Sequence, residues 1–444
     1  MAADGAWAAG GSLDSRFFAD DGIWRDAPLL TGRGSFEPLP DVRNIMVTGG
    51  EGFIASWLVR HLVTKYPDNY NVVCFDKLDY CSSLNNSRML ADRPNFKFFH
   101  GELTKPADVL SCLRKYDIDT VFHLAAQSHV DLSFGNSYAF TMNNVYGTHV
   151  LLESAKEVGT IKRFYHISTD EVYGGAAADA AGLAEHSVLA PTNPYSASKA
   201  AAEMYVTAYV HSFRLPVVMI RLNNVYGPHQ FPEKIIPKFI SLLQRERPLY
   251  IHGDGQNTRH YLYAGDAADA FDTILHKGQI GQVYNVDSRK EISNLELAET
   301  LLSTFGVSDT QGMIQYTKDR PFNDLRYPVD GSKLRHLGWV QKVGFEEGLR
   351  VCVDWYGKYS GWWGDIESIL SPFPVVNKQE NSLDVAGDGN DSTPNKRSLQ
   401  ANVGAEDAAP LGSGNGRLYD PIANGVKAMN GVPKKRKASV LEEE

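Results

Sequence analysis

The sequence predicts an α/β fold: a Rossmann-type doubly wound parallel sheet with a smaller C-terminal substrate-binding domain. Three observations predict it. Strand-like runs alternate with helix-like runs from Arg43 to Leu222. A glycine-rich turn, Gly49–Gly52, stands between the first strand and the first helix. Tyr195 and Lys199 fall one helical turn apart, shortly after a strand that ends in Ser-Thr-Asp-Glu.

Taken in order, residues 1–42 form a Gly/Ala-rich tail with scattered aromatics and no sustained period. The strand NIMVT then runs into GGEGFIASWLVRHL. Gly50-x-Gly52-x-x-Ala55 matches the G-x-G-x-x-G/A form, with glycines for the tight turn and backbone approach, and a small residue for helix–strand packing. The following helix N-terminus offers amide donors to a pyrophosphate. A second strand, VVCFD, ends at Asp76, 24 residues past Gly52. That spacing suits the acid that holds the adenosine ribose hydroxyls, and a carboxylate there favours NAD over NADP.

A strand at Phe96–Phe99, a helix around Pro106–Tyr116 and the strand TVFHLAA at 120–126 follow. Ala125 and Ala126 are small enough for a cofactor to pass closely. An amphipathic helix near Tyr138–Val158 leads to the strand ending in STDEVYG, and the Tyr195 helix leads to the strand PVVMIRL. Asn193 is a natural N-cap there, with Pro194 at the first helical position. These elements define a dinucleotide-binding domain over 43–222, with Rossmann elements recurring later. Residues 223–363, loops and short elements, are mainly the substrate-binding domain. Order fades after Trp363, and 377–444 reads as a disordered polar tail. PKKRK at 433–437 is either a solvated charge cluster or a nuclear localisation signal.

Composition limits the function classes. The 444 residues are 43% hydrophobic and 22% charged, as in a globular protein of about two domains. A net charge of −9, from 44 Lys+Arg and 53 Asp+Glu, argues against a global fit to nucleic acid or anionic membrane. Cys74, Cys81, Cys112 and Cys352 form no C-x-x-C pair and no zinc spacing, so they read as reduced thiols of a cytosol-like compartment without a metal site. No apolar run approaches the ~18 residues of a membrane span. The N-terminus lacks a secretory h-region.

The chemistry centres on Tyr195. A free phenol, with a pKa of about 10, is a weak base at neutral pH, and an ammonium nearby favours its phenolate. Tyr-x-x-x-Lys on one helix face is therefore a way to build a base for a substrate hydroxyl. Thr169, Asp170 and Glu171 stand close by at a strand end. Consecutive carboxylates on extended backbone point to opposite sides, so each can serve a different substrate atom.

These stretches, with DKLDYCSSL, HLAAQSHVDLS, NNVYGPHQFPEKIIPKFI and RPFNDLRYP, resemble the nucleoside-diphosphate-glucose 4,6-dehydratases of the extended short-chain dehydrogenase/reductase superfamily. The resemblance runs from about Arg43 to about Tyr359. It implies a bound NAD that is reduced and reoxidised in each turnover, acting on UDP-glucose or dTDP-glucose, and it suggests a homodimer. Tyr195 would take the proton from the glucose O4, with Thr169 orienting that oxygen. Glu171 would remove the C5 proton, Asp170 would protonate the departing C6 hydroxyl, and hydride would return to C6. The implied cofactor set is Gly49, Gly52, Phe53, Ile54, Asp76, Glu102, Leu124, Ala125 and Ala126 with Tyr195 and Lys199. The implied substrate set is Thr169, Asn224, Arg259, Asn294 and Arg320, with Arg259 on the diphosphate.

Two positions depart from the family pattern. Glu102 stands where Asp is usual at the adenine contact, and the DAAG loop at 179–182 is unusual near the site rim. Rival readings are a nucleotide-sugar 4-epimerase or decarboxylase of the same fold and a non-catalytic NAD-binding scaffold. Asp170 and Glu171 argue against the epimerase, which needs no acid–base pair for C5 and C6. An intact Tyr195 and Lys199 argue against the scaffold.

Overall fold

A computed structural model describes residues 36–177 and 179–372. The string before Phe36, the tail 377–444 and its basic run 433–437 lie outside the described residues.

The chain begins with β1 (Asn44–Thr48), the glycine turn and α1 (Phe53–Lys65). β2 (Asn71–Asp76), β3 (Phe96–His100), α2 (Pro106–Lys115) and β4 (Thr120–His123) follow. Next come α3 (Val130–Gly135), α4 (Ser137–Phe140), α5 (Gly147–Val158) and β5 (Arg163–Thr169), then α6 (Pro194–Phe213) and β6 (Val217–Leu222). Beyond Leu222 the chain forms β7 (Asn224–Tyr226), α7 (Ile235–Leu243), β8 (Leu249–His252), β9 (Thr258–Tyr263) and α8 (Ala264–Lys277). The order closes with β10 (Val283–Val286), β11 (Glu291–Ser293), α9 (Asn294–Thr304), β12 (Ile314–Thr317), α10 (Ser332–His336) and α11 (Phe345–Lys358).

Seven strands make one parallel sheet in the order β10-β6-β5-β4-β1-β2-β3. Alternating side chains then give it two cores, because successive residues of a strand face opposite sides. Ile45, Val47, Val72, Cys74, Phe122, Tyr165 and Ile220 pack in the larger core, which also takes in apolar residues of α1 and α8. Met46, Val73, Phe75, Val121, Phe164 and Met219 pack in the other, with residues of α2, α5 and α6. β10 is the later Rossmann element, arriving after the chain has built β7 to β9. Two small sheets, β11-β9-β7 and β12-β8, come from the C-terminal part.

Four local features differ from the sequence reading. The helix expected over Tyr138–Val158 is broken by a π-helical turn at Thr141–Tyr146. That turn lets Asn144 donate to the Gln127 carbonyl and to Ser198 Oγ, both at 2.9 Å. The stretch AGDAADAFDTILHK, read as loop and short elements, is the 14-residue helix α8. Its aspartates disguise a buried helix: Asp266 accepts from the Lys342 and Val343 amides, and Asp269 pairs with Lys342 at 2.8 Å. Order also continues past Trp363, where Ile366, Ile369 and Leu370 are buried. The tail expected over 1–42 is anchored at its end: Phe36 stacks on His276 at 4.9 Å, and the Leu39 amide donates to the Tyr70 hydroxyl at 2.8 Å.

Asp272 ties this back face together. Its carboxylate accepts from His61 Nε2 at 2.8 Å and Tyr66 Oη at 2.9 Å, and its Oδ1 lies 2.9 Å from His276 Nδ1, which also meets the Asp272 carbonyl at 2.9 Å. Burial pushes its carboxyl up, but the hydrogen bonds from His276 and His61 prevail and hold it down at about 2. A depressed carboxyl stabilises the fold above its unfolded pKa, and that stability is lost as pH falls through the folded value. Asp272→Asn is therefore expected to cost about 2–3 kcal/mol at pH 7 in urea unfolding. The difference from the parent should shrink between about pH 4 and pH 2. Equal stability of the two proteins at pH 7 would show that this network is energetically idle.

Candidate active site

The sheet gathers the site at the carboxyl ends of its strands, where an open α/β sheet binds ligands. A cavity of ≈ 400 Å³ opens there. At its β1 end Gly49 turns with φ +68°, and a Cβ on it would lie 2.8 Å from the Ala125 Cα. Only glycine suits that position. Gly52, Phe53 and Ile54 line the cavity at the start of α1, where first-turn amides have no preceding carbonyl of their own helix. Leu124, Ala125 and Ala126 line the wall beyond β4.

Asp76 lines the cavity at the end of β2. Its carboxylate is locked by the Glu51 amide at 3.0 Å, the Leu78 amide at 2.7 Å and Ser82 Oγ at 3.2 Å. Neighbouring Lys77 is turned to Asp79 at 2.9 Å and Asn143 at 3.0 Å, so its charge is matched elsewhere. These residues fit a dinucleotide with free ribose hydroxyls. Glu102 is not among the lining residues; its carboxylate pairs with Lys105 at 3.0 Å, while Gly101 beside it does line the cavity.

Thr169, Glu171, Tyr195 and Lys199 all meet in this cavity. Asn193 caps α6 as the sequence predicts: its Oδ1 accepts from the Ser196 amide at 2.9 Å. The Lys199 ammonium donates to the Ile167 carbonyl at 2.7 Å. Burial brings it down to about 8, opposed by the charge of Glu203. The Tyr195 phenol is pushed up, by burial first and by the Glu171 charge second; a hydrogen bond with Thr169 opposes this. The expected pull of Lys199 is not among the influences on the phenol in the protein alone, where the ammonium is turned to the Ile167 carbonyl.

Asp170 and Glu171 do not sit on extended backbone. Asp170–Tyr173 is a 3₁₀ turn, opened by the Glu171 amide donating to Thr169 Oγ1 at 3.3 Å. Strand alternation therefore does not apply. Glu171 reaches the cavity, whereas Asp170 is buried behind Thr169. Asp170 accepts from Thr169 Oγ1 at 3.1 Å and Asn223 Nδ2 at 2.7 Å. Burial, then the Glu171 charge, pushes Asp170 up to about 7. Glu171 is pushed up as well, by burial, against the opposing charge of Arg259. A carboxyl pushed up to about 7 beside a second one whose charge Arg259 favours is an arrangement suited to acid and base work.

Asn224, Arg259, Asn294 and Arg320 line the same cavity. Arg259 bonds neutral oxygens, the Thr258 carbonyl at 2.7 Å and the Asp324 carbonyl at 3.1 Å, and lies over the Tyr327 ring at 4.7 Å. Arg320 instead pairs with Asp131 at 2.6 Å. Sequence reasoning missed Asn223 and the contact of Asn193 with Glu171, at 3.2 Å. Asn193 carried a signal, but a capping motif accounted for it entirely. Asn223 adjoins Asn224 and was indistinguishable from it by pattern.

Among the described residues no His/Cys/Asp/Glu group is arranged to hold a metal ion, and no helix is long and apolar enough to cross a membrane. A family model described as GDP-mannose 4,6 dehydratase matches residues 46–352. A trifunctional UDP-glucose 4,6-dehydratase/UDP-4-keto-6-deoxy-D-glucose 3,5-epimerase/UDP-4-keto-L-rhamnose-reductase of Arabidopsis thaliana is 52% identical over 333 residues, 75% of this chain and 50% of that protein. The chain thus spans about half the length of such relatives. A dTDP-D-glucose 4,6-dehydratase of Mus musculus is 47% identical over 337 residues, 75% of this chain and 94% of that one. The dTDP-glucose 4,6-dehydratase of Streptomyces venezuelae, solved with NAD, matches with TM-score 0.69 and 37% identity over 72% of this chain and 98% of its own. A UDP-glucose 4-epimerase of Thermotoga maritima matches with TM-score 0.65 and 29% identity, over 71% of this chain and 99% of its own.

Proposed function

Because this chain belongs to the GDP-mannose 4,6 dehydratase family, we propose that it removes water from UDP-glucose or dTDP-glucose to give the 4-keto-6-deoxy sugar nucleotide. The observation that carries this reading is the meeting of Thr169, Glu171, Tyr195 and Lys199 in one cavity, with Asp170 hydrogen-bonded behind Thr169. NAD, when bound, supplies a hydride acceptor for C4 and a donor for C6, and its oxidised ring is positively charged.

Tyr195 removes the proton of the C4 hydroxyl, and Thr169 holds that oxygen. The buried Lys199 ammonium favours the charged phenol once a ligand excludes water. The C4 ketone makes the C5 proton acidic, and Glu171 takes it as the C6–O bond breaks. Protonated Asp170 passes its proton to Thr169 Oγ1 as Thr169 passes its own to the departing C6 hydroxyl, and water leaves. Arg259, whose partners are neutral oxygens, binds the diphosphate. Asn224, Asn294 and Arg320 complete the substrate wall. An epimerase would find no use for a carboxyl held near neutrality beside a second carboxyl.

The same reading includes a homodimer through α5 and α6. Met204 is 55% exposed and Tyr205 40% exposed, with His149 of α5 stacked on Tyr205 at 4.8 Å. Such adjoining apolar exposure suits a helix-pair interface. A cytosol-like location also belongs to this reading; it is supported by four free cysteines, three of them buried.

Incubation with UDP-glucose and dTDP-glucose in separate reactions, followed by mass spectrometry, should show loss of one water from at least one of them. No net NADH should accumulate. An unchanged sugar mass would point to epimerisation, and stoichiometric NADH to a plain dehydrogenase. Tyr195→Phe should retain NAD while turnover falls on the order of 100- to 10,000-fold. A variant within threefold of the parent would remove Tyr195 from the base role. For the assembly, Met204→Glu is expected to halve the sedimenting mass; a parent that already sediments as a single chain would refute the dimer.

A further inference from the structure

Asn193 does two things with one side chain. A carboxamide has an accepting end and a donating end, and its orientation is fixed once one end is engaged. Here the capping bond engages Oδ1 with the Ser196 amide at 2.9 Å. The Nδ2 end must then face away from the helix, and it donates to Glu171 Oε2 at 3.2 Å. The amide is buried and lines the cavity. Asn223 repeats the device for the neighbouring carboxyl. Its Oδ1 accepts from the Ser288 amide at 2.9 Å, and its Nδ2 donates to Asp170 Oδ2 at 2.7 Å. Each of the two adjacent carboxyls thus receives an N–H whose direction is set by a backbone amide elsewhere.

We propose that Asn193 is a positioning residue for Glu171: the bond that caps the Tyr195 helix also aims the amide that steadies the Glu171 carboxylate and favours its charged form. This deepens the proposed function and rests on Glu171 being the C5 base. The other groups that act on Glu171 come from several elements. Asp170 adjoins it on the same turn, Tyr195 interacts from α6, and Tyr327 from the loop after β12. Arg259 of β9, Lys234 before α7 and Arg320 of the same loop as Tyr327 favour its charge. Asn193 is neutral, unlike Arg259, Lys234 and Arg320, so Asn193→Ser alters its support of the carboxylate without changing the charge of the cavity. It also lies two residues before Tyr195. One residue therefore sets the start of the helix that carries the proposed C4 base and the position of the proposed C5 base.

Asn193→Ser keeps a good capping oxygen but has no amide N–H for Glu171. Asn193→Asp caps as well as Asn and puts a second anionic oxygen where the donor was. Both should retain NAD and melt within a few degrees of the parent. Turnover needs Glu171 ionised, so losing a donor should move the acid limb of the kcat/KM profile to higher pH, by about one unit for Asn193→Ser. Asn193→Asp should move it further. Exchange of the C5 hydrogen with solvent deuterium at pH 6 should slow in the same order. Glu171→Gln is the control. If it exchanges C5 at the parent rate, the base is elsewhere and the underlying reading fails. If it abolishes exchange while both Asn193 variants keep the parent's acid limb and exchange rate, Asn193 is a helix cap only and the proposal is overturned. Should Asn193→Ser unfold, Asn193→Asp decides alone, because its cap is intact and its effect on the limb is the larger one.

Discussion

Two adjacent carboxyls stand at the end of β5, Asp170 buried and Glu171 half-buried at the cavity, and the cost of charging either one organises the site around them. Removing a carboxylate from water is expensive unless donors or cations replace the hydration. The protein answers differently at the two positions. Glu171 faces the cavity, with Arg259 as the foremost opposing charge. Asp170 is turned inward and receives only neutral donors directly, Thr169 and Asn223. The same pair of residue types is thereby split into one that keeps its proton more easily and one that can lose it. The 3₁₀ turn makes the split possible, because it places one side chain in the cavity and the other behind its floor.

Most of the framework was legible in the sequence because it follows from rules of short range. The glycine turn, the strand-end acid and the Asn-Pro start of the Tyr195 helix each depend on a few consecutive residues, and each stands where the pattern puts it. The features that were not legible depend on partners far along the chain. Nothing near Asp269 announces Lys342, and without that partner AGDAADAF reads as too acidic to bury. Residues 138–158 do have a helical period; the π turn inserted in it answers to Gln127 and Ser198, which local pattern cannot see. The extended geometry expected at Asp170–Glu171 failed for the opposite reason. The threonine that caps the turn is itself a local signal, and side-chain alternation ends with the strand at Thr169.

The relatives of known activity sharpen what the geometry means without replacing it. The fold alone is shared with an epimerase at 29% identity and with a dehydratase at 37%. Fold therefore does not choose between them. The proposed choice rests on the carboxyl pair and its environment. A C4 oxidation needs only the Tyr195–Lys199 arrangement, and any member of this fold with that arrangement can begin the reaction. Elimination across C5 and C6 needs, in addition, a base and an acid a bond apart in the substrate. On the proposed reading Glu171 and Asp170 supply both from one turn of backbone, and Asn193, Thr169 and Asn223 hold the two side chains apart.

The two arginines of the cavity show how the protein treats an incoming anion. Arg259 is held by carbonyl oxygens, which orient its guanidinium but leave its charge intact. Arg320 already has a carboxylate partner in Asp131, itself drawn below its usual range by the Arg320, His129 and His252 charges against the effect of burial. An anion entering the cavity meets the full charge of Arg259, but at Arg320 only what Asp131 leaves unmatched. Binding through Arg259 therefore retains most of its electrostatic gain, while binding through Arg320 is an exchange of one anionic partner for another and nets much less. The division matters for the carboxyl pair as well. Arg259 is the leading charge that favours an ionised Glu171, and a diphosphate that takes up the Arg259 charge relaxes that hold. On the proposed function, a diphosphate on Arg259 would thus raise the proton affinity of Glu171 in the complex in which it must accept a proton. A neutral donor such as the Asn193 amide then carries a larger share of the carboxylate's stabilisation, since no anion can neutralise it.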